Sequence, residues 1–558
     1  MNDYLQRNKS NCKDCYKCIR HCPVKSISFS DNQARIVEDE CILCGICFVV
    51  CPQNVKKIRN DIGKVKEMIA SGRPVYASIA PSFVAKYNGV NMASMEAALK
   101  KLGFFAAQET AIGATIVKRH YEQMIREKSQ SIIISSCCPS VNALIQKYYP
   151  EALAYLAPII SPMQAHSMKI KEEHPEAYTV FIGPCISKKA EAEQYQDLVD
   201  CVLTFEDLSE WLEEEGIVFE EVCDTAEKGR ARLFPTAGGI LQSMYLDQDE
   251  YSFISIDGVE NCISTIKDVI AGNISNCFIE MSACTGSCIG GPAMGKKQRA
   301  PIRDFLAVKT YAGQNDFSLS EISEDKLKKE IPFIRLHRQM PGNSTVEEIL
   351  KKMGKVSAEQ ELNCGSCGYN TCRDKAIAVA MGKANMTMCL PFLNEKAQSF
   401  SDNIISNTPD GIIVLNEELE IQQINASAGR ILNIKNTGDI IGSNVGSILD
   451  PTGYVSVMDT EKNTHNKRIY LEKYQRCIEE TIIYDKNYHI IIIIMRDITE
   501  EEAQRSSKEK FTKHTVEIAD KVIAKQMRVV QEIASLLGET AAETKIALTK
   551  LKETLDDE

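Results

Sequence analysis

Cysteine is the residue type whose number and spacing could do chemistry in this chain. There are 22 cysteines among 558 residues, and they are not spread evenly. Eight fall in the first 51 residues, nine between 137 and 288, four between 364 and 389, and Cys477 stands alone. Clustered cysteines in a cytoplasmic protein are more often metal ligands than disulfides. The grouping predicts separate modules, each with its own inorganic chemistry.

Composition indicates the compartment and the class of partner. Residues 1–7 are polar and lack an apolar signal core. The longest aliphatic run, residues 490–495, is much shorter than the roughly 20 residues of a membrane-spanning helix. We therefore expect a cytoplasmic protein with no membrane partner and no secreted disulfide framework. The formal net charge of −11 argues against nucleic acid as the main partner.

The first cysteine group is an internal repeat of the pattern CxxCxxCxxxCP. A 4Fe–4S cubane needs four thiolates around one small volume, and the cysteine next to proline binds the cluster of the other run. The spacing predicts two clusters, one on Cys12, Cys15, Cys18 and Cys51 and one on Cys41, Cys44, Cys47 and Cys22. Such a segment is a bacterial-type dicluster ferredoxin, which conducts electrons. Two zinc sites would leave the third cysteine and the proline of each run unexplained.

The group near residue 380 has a different spacing, formed by Cys364, Cys367, Cys372 and Cys389. Gly365 and Gly368 permit a tight turn, and residues 376–384 are predicted to form a helix that returns the chain to Cys389. Four thiolates suit either a 4Fe–4S cluster or a structural zinc ion. The stretch resembles the small iron–sulfur domains of corrinoid and electron-bifurcating proteins, so we expect an additional 4Fe–4S cluster.

The middle cysteines must be positioned by an α/β domain. Strand-like runs such as Ile132–Ile134 and residues 180–182 alternate with amphipathic helical stretches such as residues 94–101. The cysteines occur in three of the intervening loops, residues 135–140, 183–191 and 280–291. A single cysteine is usually only a small buried side chain. Three such loops downstream of an electron conductor favour a further metal cluster instead.

These three loops resemble the signature loops of the FeFe-hydrogenases, TSCCPxW, MPCxxKxxE and ExMxCxxGCxxGGG, over roughly residues 1–300. The resemblance implies an H-cluster, a 4Fe–4S cubane joined by a shared thiolate to a two-iron unit with CO, cyanide and an azadithiolate bridge. It assigns the cubane to Cys138, Cys185, Cys284 and Cys288, with Cys288 bridging to the two-iron unit.

The resemblance also implies roles for side chains around the two-iron unit. Lys188 would hydrogen-bond one cyanide, and Pro81 with Ser82 would face the other. Cys137 would pass protons to the azadithiolate amine, and Glu191 would orient its loop.

Several positions depart from the FeFe-hydrogenase pattern. Phe234 matches a loop near the two-iron unit, but Gly183 and Ser282 stand where the family has methionines, so we expect a roomier and more polar pocket. The family stretch TIMEE corresponds to residues 115–119, which places Arg119 where an acid should stand. The serine of the proton path corresponds to Ala157. We therefore expect slow turnover, because each proton step normally contributes about 10²–10⁴-fold.

Cysteine nearly vanishes after Pro391, and a different kind of domain is indicated. Strand-like segments at residues 411–415 and 490–495, with NTPDGI at 407–412 and a closing RDITE, resemble a PAS domain. Such a domain senses a ligand or a redox state, or only dimerises. His465 and His489 could be haem ligands, although lone histidines are more often surface or core residues.

The last segment, residues 503–558, is predicted to be helical. Residues recurring every seven positions fit a short coiled coil: Val516, Ile523, Val530 and Leu537. We expect Gly538 to break it and a second helix to follow, with Ile546, Leu548, Leu551 and Leu555 on its apolar face. The alternative is one more helix packed on the PAS domain. Because no kinase or phosphatase sequence follows, the effector would be a separate protein.

The length predicts three to five domains. We expect a multidomain α/β chain with the FeFe-hydrogenase H-cluster fold, an N-terminal α+β ferredoxin domain, a small iron–sulfur domain, an α+β PAS domain and C-terminal helices. The expected domains are ferredoxin 1–60, H-cluster 61–335, additional 4Fe–4S 336–395, PAS 396–502 and coiled-coil tail 503–558.

The resulting hypothesis is a sensory FeFe-hydrogenase of the PAS-containing subgroup, which oxidises H2 slowly and reversibly. Its partners would be H2, protons, a redox partner such as ferredoxin, hydrogenase maturases, a phosphatase or kinase effector, and a second copy of the chain. The alternatives are a non-catalytic iron–sulfur sensor with cubanes alone and an ordinary fermentative hydrogenase. Five cysteines have no assigned role: Cys201, Cys223, Cys262, Cys277 and Cys477.

Overall fold

The structure, a computed structural model, describes residues 4–7, 12–195, 197–224, 227–245, 251–295, 300–319 and 322–555. The chain divides into two compact units, Met1–Leu393 and Asn394–Glu558. Within the described residues, no helix combines the length and the apolar character needed to cross a membrane.

The cysteine repeat folds into two short helices and four short strands. They are β1 (Leu5–Arg7), α1 (Lys17–Arg20), β2 (Ile27–Ser30), β3 (Gln33–Ile36), α2 (Ile46–Val49) and β4 (Lys56–Ile58). β1 pairs with β4 and β2 with β3, both antiparallel. The two copies share one turn conformation, because Asp14 and Tyr16 in the first and Leu43 and Gly45 in the second all have positive φ, between 50° and 73°. The internal repeat is therefore also a repeat of backbone structure.

The middle of the first unit is built on two parallel sheets. The strands are β5 (Val75–Ile79), β6 (Ala106–Glu109), β7 (Ile132–Ile134), β8 (Tyr178–Gly183), β9 (Cys201–Thr204), β10 (Ser252–Asp257) and β11 (Cys277–Ser282). In the described residues one sheet has the order β6-β5-β8-β9 and the other β10-β11-β7. β5, β7 and β11 are buried throughout, as expected for parallel strands covered on both faces.

Helices connect and cover these strands. They are α3 (Ile62–Ala70), α4 (Phe83–Lys86), α5 (Met92–Lys101), α6 (Ala111–Arg126), α7 (Pro139–Tyr148), α8 (Pro162–Glu173), α9 (Ser187–Gln194), α10 (Phe205–Glu214), α11 (Gly239–Ser243), α12 (Val259–Ile270), α13 (Pro301–Tyr311) and α14 (Glu324–Leu327). The strands predicted at 132–134 and 180–182 and the helix predicted at 94–101 fall in β7, β8 and α5. The predicted α/β alternation is present.

The third cysteine group is held by α15 (Asn343–Lys352) and α16 (Cys372–Ala380), and α17 (Leu390–Asn407) follows Cys389. The helix expected at residues 376–384 begins earlier, because the Thr371 hydroxyl accepts a hydrogen bond from the Asp374 amide and caps α16 at residue 372. It ends before 384, where Gly382 adopts a positive φ of 69°. α17 contains the boundary between the two units.

The second unit contains an antiparallel sheet and a long helix. Its remaining elements are β12 (Gly411–Asn416), β13 (Ile421–Ile424), α18 (Ala426–Ile431), α19 (Thr452–Thr460), β14 (Thr464–Leu471), β15 (Arg476–Asp485), β16 (Ile490–Asp497) and α20 (Thr499–Leu555). Among these described strands the order is β13-β12-β16-β15-β14. His465 and His489 are exposed, and His489 Nδ1 lies 2.9 Å from Glu417 Oε1.

α20 corrects the expected division of the tail. It is one helix of 57 residues that passes through Gly538 without a break. A glycine inside a helix costs about 1 kcal/mol relative to alanine, and the good helix formers on either side tolerate that cost. The residues of the expected heptad stripe are exposed along it. The side chains of Leu551 and Leu555 lie outside the described part.

Candidate active site

One cavity of about 120 Å³ collects cysteines from all three middle loops. Cys137 and Cys138 follow β7, Cys185 follows β8, and Cys284 and Cys288 follow β11. The carboxyl ends of parallel strands are where α/β sheets present loops to a ligand. Here loops from both sheets line one cavity, which brings together side chains 150 residues apart in the chain.

Other expected residues line the same cavity, namely Pro81, Ser82, Lys188, Phe234 and Ser282. The Ser82 hydroxyl is fully buried and has no hydrogen-bond partner among the described residues. A buried hydroxyl without a partner costs about 1–3 kcal/mol. Because Ser82 lies on the cavity wall, a ligand in the cavity could accept the hydrogen bond that its hydroxyl lacks.

Gly183 does not line this cavity. A Cβ atom at Gly183 would lie 2.6 Å from the ring of Phe181, so the aromatic side chain fills the space beside the glycine. Phe181 and Met163 both face the cavity, whose wall is mainly apolar. Ser282 lines the cavity as expected, whereas Gly183 adds no space to it; the roomier and more polar pocket stays a prediction.

Lys188 belongs to a buried charge network with Glu191. Lys188 Nζ donates to Glu191 Oε2 at 2.6 Å and to the Cys137 carbonyl oxygen at 3.3 Å. Lys329 Nζ donates to the other oxygen, Glu191 Oε1, at 2.7 Å. Burial alone would raise the pKa of Glu191, but Lys188 and Lys329 lower it to about 2. The carboxylate is therefore ionised and fixes the position of Lys188.

Lys329 was missed by sequence reasoning. It lies far from the signature loops, and nothing in its neighbourhood in the sequence marks it. The backbone holds it in place, because the Lys329 amide donates to the Pro158 carbonyl oxygen at 3.0 Å. Only the fold shows that a second cation faces Glu191.

Tyr121, on α6 two residues beyond the segment 115–119, lies beside the Cys137 thiol. The Tyr121 hydroxyl lies 3.2 Å from Cys137 Sγ and accepts a hydrogen bond from the Ser136 amide at 3.0 Å. Its ring packs on Phe278 of β11, with centroids 5.2 Å apart, which directs the hydroxyl toward Cys137. The correspondence of residues 115–119 to the family's acidic stretch stays a prediction.

The two basic residues of α6 point elsewhere. Lys118 is fully buried, and its Nζ donates to the Ser243 carbonyl oxygen at 2.8 Å and lies 2.7 Å from Asp316 Oδ1. Arg119 contacts the carbonyl oxygens of Leu319 and Phe317. Ala157, at the expected position of the serine, is fully buried in an apolar cluster.

Glu280 is a further cavity residue that had no assigned role, although it opens the third signature loop. Its Oε2 accepts a hydrogen bond from the Leu241 amide at 3.1 Å. Burial raises the pKa of Glu280 to about 7, against the lowering effect of the backbone amides of residues 238–241. An acid at the first position of the loop was the signal that could have identified it.

Comparison with known families agrees with this geometry. Residues 73–292 match the iron only hydrogenase large subunit, C-terminal domain family, and residues 7–66 match the 4Fe-4S dicluster domain family. The chain carries a hydrogenase-like domain and a ferredoxin domain. Residues 360–391 match an Fe-S cluster family.

Individual relatives are distant. The chain is 24% identical over 387 residues to the periplasmic Fe hydrogenase large subunit of Nitratidesulfovibrio vulgaris, covering 56% of this chain and 91% of the relative. It is 25% identical over 189 residues to a cytosolic Fe-S cluster assembly factor of Eremothecium gossypii, covering 31% and 42%. A solved FeFe-hydrogenase of Chlamydomonas reinhardtii is 18% identical with a TM-score of 0.38, covering 47% and 91%.

Cysteines of the two runs lie near one another in the ferredoxin domain. Burial raises the pKa of Cys18 to about 11, and Cys51 of the other run and Cys12 add to the rise. Burial raises the pKa of Cys47 to about 12, with contributions from Cys41 and from Cys22 of the other run. Cys18 also raises the pKa of Cys47, so these effects show that the two runs lie close together, and the assignment of four cysteines to each cluster stays a prediction.

The ferredoxin domain reaches the cavity of the hydrogenase-like domain. Cys44 and Leu43 line that cavity. Gly45 makes this approach possible, because a Cβ atom there would lie 2.6 Å from Pro292, next to the third signature loop. One of the predicted cubane sites therefore adjoins the cavity.

Cys364, Cys367, Cys372 and Cys389 line one small cavity of their own. This module packs on the ferredoxin domain, where Lys25 Nζ donates to the Gly368 carbonyl oxygen at 2.9 Å and the Phe29 amide to that of Lys383 at 2.7 Å. Across the described residues, no group of three or more His, Cys, Asp or Glu side chains is arranged to hold a single metal ion.

The five cysteines without a role lie outside these sets. Cys201, Cys262 and Cys277 are buried, Cys223 is exposed and Cys477 is half-buried. Cys262 Sγ donates to the Ser282 carbonyl oxygen at 3.4 Å, which makes it part of the packing behind the cavity.

Proposed function

We propose that the chain is a sensory FeFe-hydrogenase that oxidises H2 slowly and reversibly to protons and electrons. The observation that carries this proposal is the convergence of Pro81, Ser82, Lys188 and Cys137 on the cavity that also holds four cysteines. These residues would serve only a two-iron unit. A protein that held a cubane alone would not need them.

The cavity residues fit an H-cluster. Cys138, Cys185, Cys284 and Cys288 would hold the cubane, and the mainly apolar wall suits a low-valent iron unit with CO ligands. The partnerless Ser82 hydroxyl and the Lys188 ammonium are the donors that cyanide ligands would accept from. When bound, this group would supply the chemistry of heterolytic H2 cleavage.

The side chains around the cavity would hold charge and move protons. Glu191, fixed between Lys188 and Lys329, positions the Lys188 ammonium at the cavity wall. Burial raises the pKa of Cys137 to about 12, so the thiol keeps its proton at neutral pH. A protonated thiol with Tyr121 at 3.2 Å can give and regain a proton at the cavity.

Electrons would leave through the ferredoxin domain. Its contact with the cavity at Cys44, and the packing of the 364–389 module on its other side, support a chain of 4Fe–4S clusters that ends at a redox partner such as ferredoxin.

The second unit would carry the signal. The antiparallel order β13-β12-β16-β15-β14 supports a PAS domain, and the exposed apolar residues of α20 support a coiled coil between two copies of the chain. The effector would be a separate phosphatase or kinase. In a dimer, Ile523→Asp should shift the sedimentation coefficient of the full chain to that of a monomer, whereas Lys521→Asp should not. A wild-type chain that already sediments as a monomer would end this part of the proposal.

H2 uptake by the full chain, coexpressed with hydrogenase maturases and assayed with an electron-accepting dye, tests the catalytic claim. We expect slow uptake in the wild type and none in Cys288→Ser. Wild-type uptake that stays at the background of the Cys288→Ser sample would contradict it.

A second candidate is a non-catalytic iron–sulfur redox sensor that carries only 4Fe–4S clusters. The similarity to a cytosolic Fe-S cluster assembly factor favours it. It predicts iron and sulfide at cubane stoichiometry in the cavity and no CO or cyanide.

A further inference from the structure

A row of four polar side chains leads away from the cavity. Thr110 lines the cavity, and its Oγ1 lies 2.7 Å from Ser78 Oγ. Ser78 Oγ lies 2.7 Å from His166 Nδ1, and His166 Nε2 lies 3.1 Å from Gln108 Oε1. Ser78 and His166 are fully buried, whereas Gln108 is half-buried. The row therefore connects the cavity wall to a group that solvent reaches.

The fold fixes this row. Ser78 of β5 and Gln108 of β6 are register partners in neighbouring parallel strands, so their side chains share one face of the sheet. α8 places the His166 ring between them. α8 can approach α6 closely because residue 113 of α6 is glycine. A Cβ atom at Gly113 would lie 2.7 Å from the His166 amide nitrogen.

The contacts also fix the direction of the hydrogen bonds. Because Gln108 Oε1 only accepts, His166 Nε2 carries the proton and Nδ1 accepts from the Ser78 hydroxyl. Ser78 Oγ in turn accepts from the Thr110 hydroxyl. The Thr110 oxygen is left to accept a proton from the cavity.

We propose that Thr110, Ser78 and His166 form a proton relay that leads from the cavity to solvent. The proposal rests on the proposed function, because H2 oxidation is the source of the protons.

In one passage a proton from the cavity binds Thr110 Oγ1 while the Thr110 hydroxyl proton moves to Ser78 Oγ. The Ser78 proton moves to His166 Nδ1, and the Nε2 proton leaves to water beside Gln108. Each bond to hydrogen that forms replaces one that breaks, and no electron moves.

In the part of the chain that the structure describes, a proton route through Cys137 and Tyr121 would not reach solvent, and this gives a reason for a separate route through His166. The Tyr121 hydroxyl lies 3.4 Å from Ser136 Oγ, which donates to the Ile159 carbonyl oxygen at 3.1 Å. Ser136 and Ile159 are both fully buried. In the described residues this branch ends inside the core, whereas the branch through His166 ends at a half-buried side chain.

The relay is tested by exchange between D2 gas and solvent protons, measured as HD formation by the matured full chain. Ser78→Ala, Thr110→Val and His166→Gln should each slow the exchange about 10²-fold, the lower end of the range for one proton-transfer group. Two matched control variants leave the three relay residues unchanged and should exchange at the wild-type rate. Ser167→Ala removes another buried hydroxyl from α8, and Thr115→Val removes one from α6.

Infrared spectra of the same samples separate this proposal from the proposed function. CO and cyanide bands in the wild type and the variants, with exchange unchanged in the three relay variants, would overturn the relay and leave the hydrogenase proposal standing. Absence of these bands from the wild type would overturn both.

A measurement that needs no metal cluster tests the direction of the row. In full chain labelled with nitrogen-15 histidine, the His166 signals should show Nε2 protonated and Nδ1 bare at pH 7. Burial, aided by Lys169, lowers the pKa of His166 to about 3, in agreement with a neutral ring. A proton on Nδ1 would contradict the relay, because Ser78 could then not donate to the ring.

Discussion

The cavity of the hydrogenase-like domain and the module of residues 364–389 each gather the four cysteines predicted to hold one cubane, but they do so in different ways. The cavity draws its cysteines from three loops at the ends of two sheets, and buried side chains from distant segments support them. The module takes all four from one stretch of 26 residues, and Cys364 is exposed. One set of cysteines is therefore local and self-contained, whereas the other depends on the whole fold of its domain.

The largest expected effect comes from removing one cysteine from each site. Cys185→Ser should abolish H2 uptake and the CO and cyanide bands, because the cavity cubane loses a ligand. Cys364→Ser should leave those bands in place, because the module does not line the cavity. The pair of infrared spectra checks this, and loss of the bands in Cys364→Ser would contradict the separation of the two sites.

The next effect compares a buried lysine in each site. Lys329→Met leaves the buried Glu191 carboxylate with one cation fewer, so the free energy of unfolding should fall by about 3–5 kcal/mol. Lys375→Met in the module removes a donor to the Asn385 carbonyl oxygen and no carboxylate loses a cation, so we expect about 1 kcal/mol.

Urea titration of the full chain measures both values. Lys328→Met is the matched control, since its side chain is 63% exposed beside Lys329. Equal losses in the free energy of unfolding for Lys329→Met and Lys375→Met would contradict the expectation that the buried Glu191 carboxylate needs both lysines.

A smaller effect is expected at Tyr121. Tyr121→Phe leaves the buried Ser136 amide without its acceptor, so the free energy of unfolding should fall by about 1–3 kcal/mol. Tyr488→Phe, at a side chain 76% exposed, should change nothing. If urea titration gives the same value for both variants, Tyr121 is not a supporting group of the cavity.

The smallest effect is a pH dependence that comes from His166, which a row of hydrogen bonds joins to the cavity; the module contains no histidine. The pKa of His166 falls from 6.5 to about 3 on folding, mainly through burial. The stability it contributes is therefore present above pH 6.5 and lost as the pH falls toward 3. One unit below 6.5 the loss is about 1.4 kcal/mol. Because burial raises the pKa of Glu280 to about 7, Glu280 gains stability over the same interval in both proteins. From pH 7.5 to 5.5, urea titrations should therefore show the wild type changing less favourably than His166→Gln by about 1.4 kcal/mol. An equal change in both would assign it to other groups.

Sequence reasoning succeeded where the determinants are local. The matching turns of the two ferredoxin runs follow from their repeated spacing, and the three cysteine loops that line one cavity follow from their own motifs. The strands β7 and β8 and the helix α5 follow from hydropathy patterns. In each case the residues that decide the structure lie within a few positions of one another.

The rest depended on contacts that no spacing encodes. Lys329 reaches Glu191 across 138 positions, and His166 reaches Ser78 across 88. Tyr121 was not predicted to face Cys137, because its packing on Phe278, and not its position in a motif, directs its hydroxyl there. Gly538 was expected to end a helix that its neighbours continue, because glycine's cost is small beside the propensity of a long helix.

The central claim is that the cavity holds a two-iron unit as well as a cubane. Infrared spectroscopy of the wild-type chain, coexpressed with hydrogenase maturases and iron-loaded, tests it most directly. The account predicts CO and cyanide bands that shift when the sample is exposed to H2. A fully iron-loaded sample with no such bands would contradict it and leave a protein that carries 4Fe–4S clusters alone.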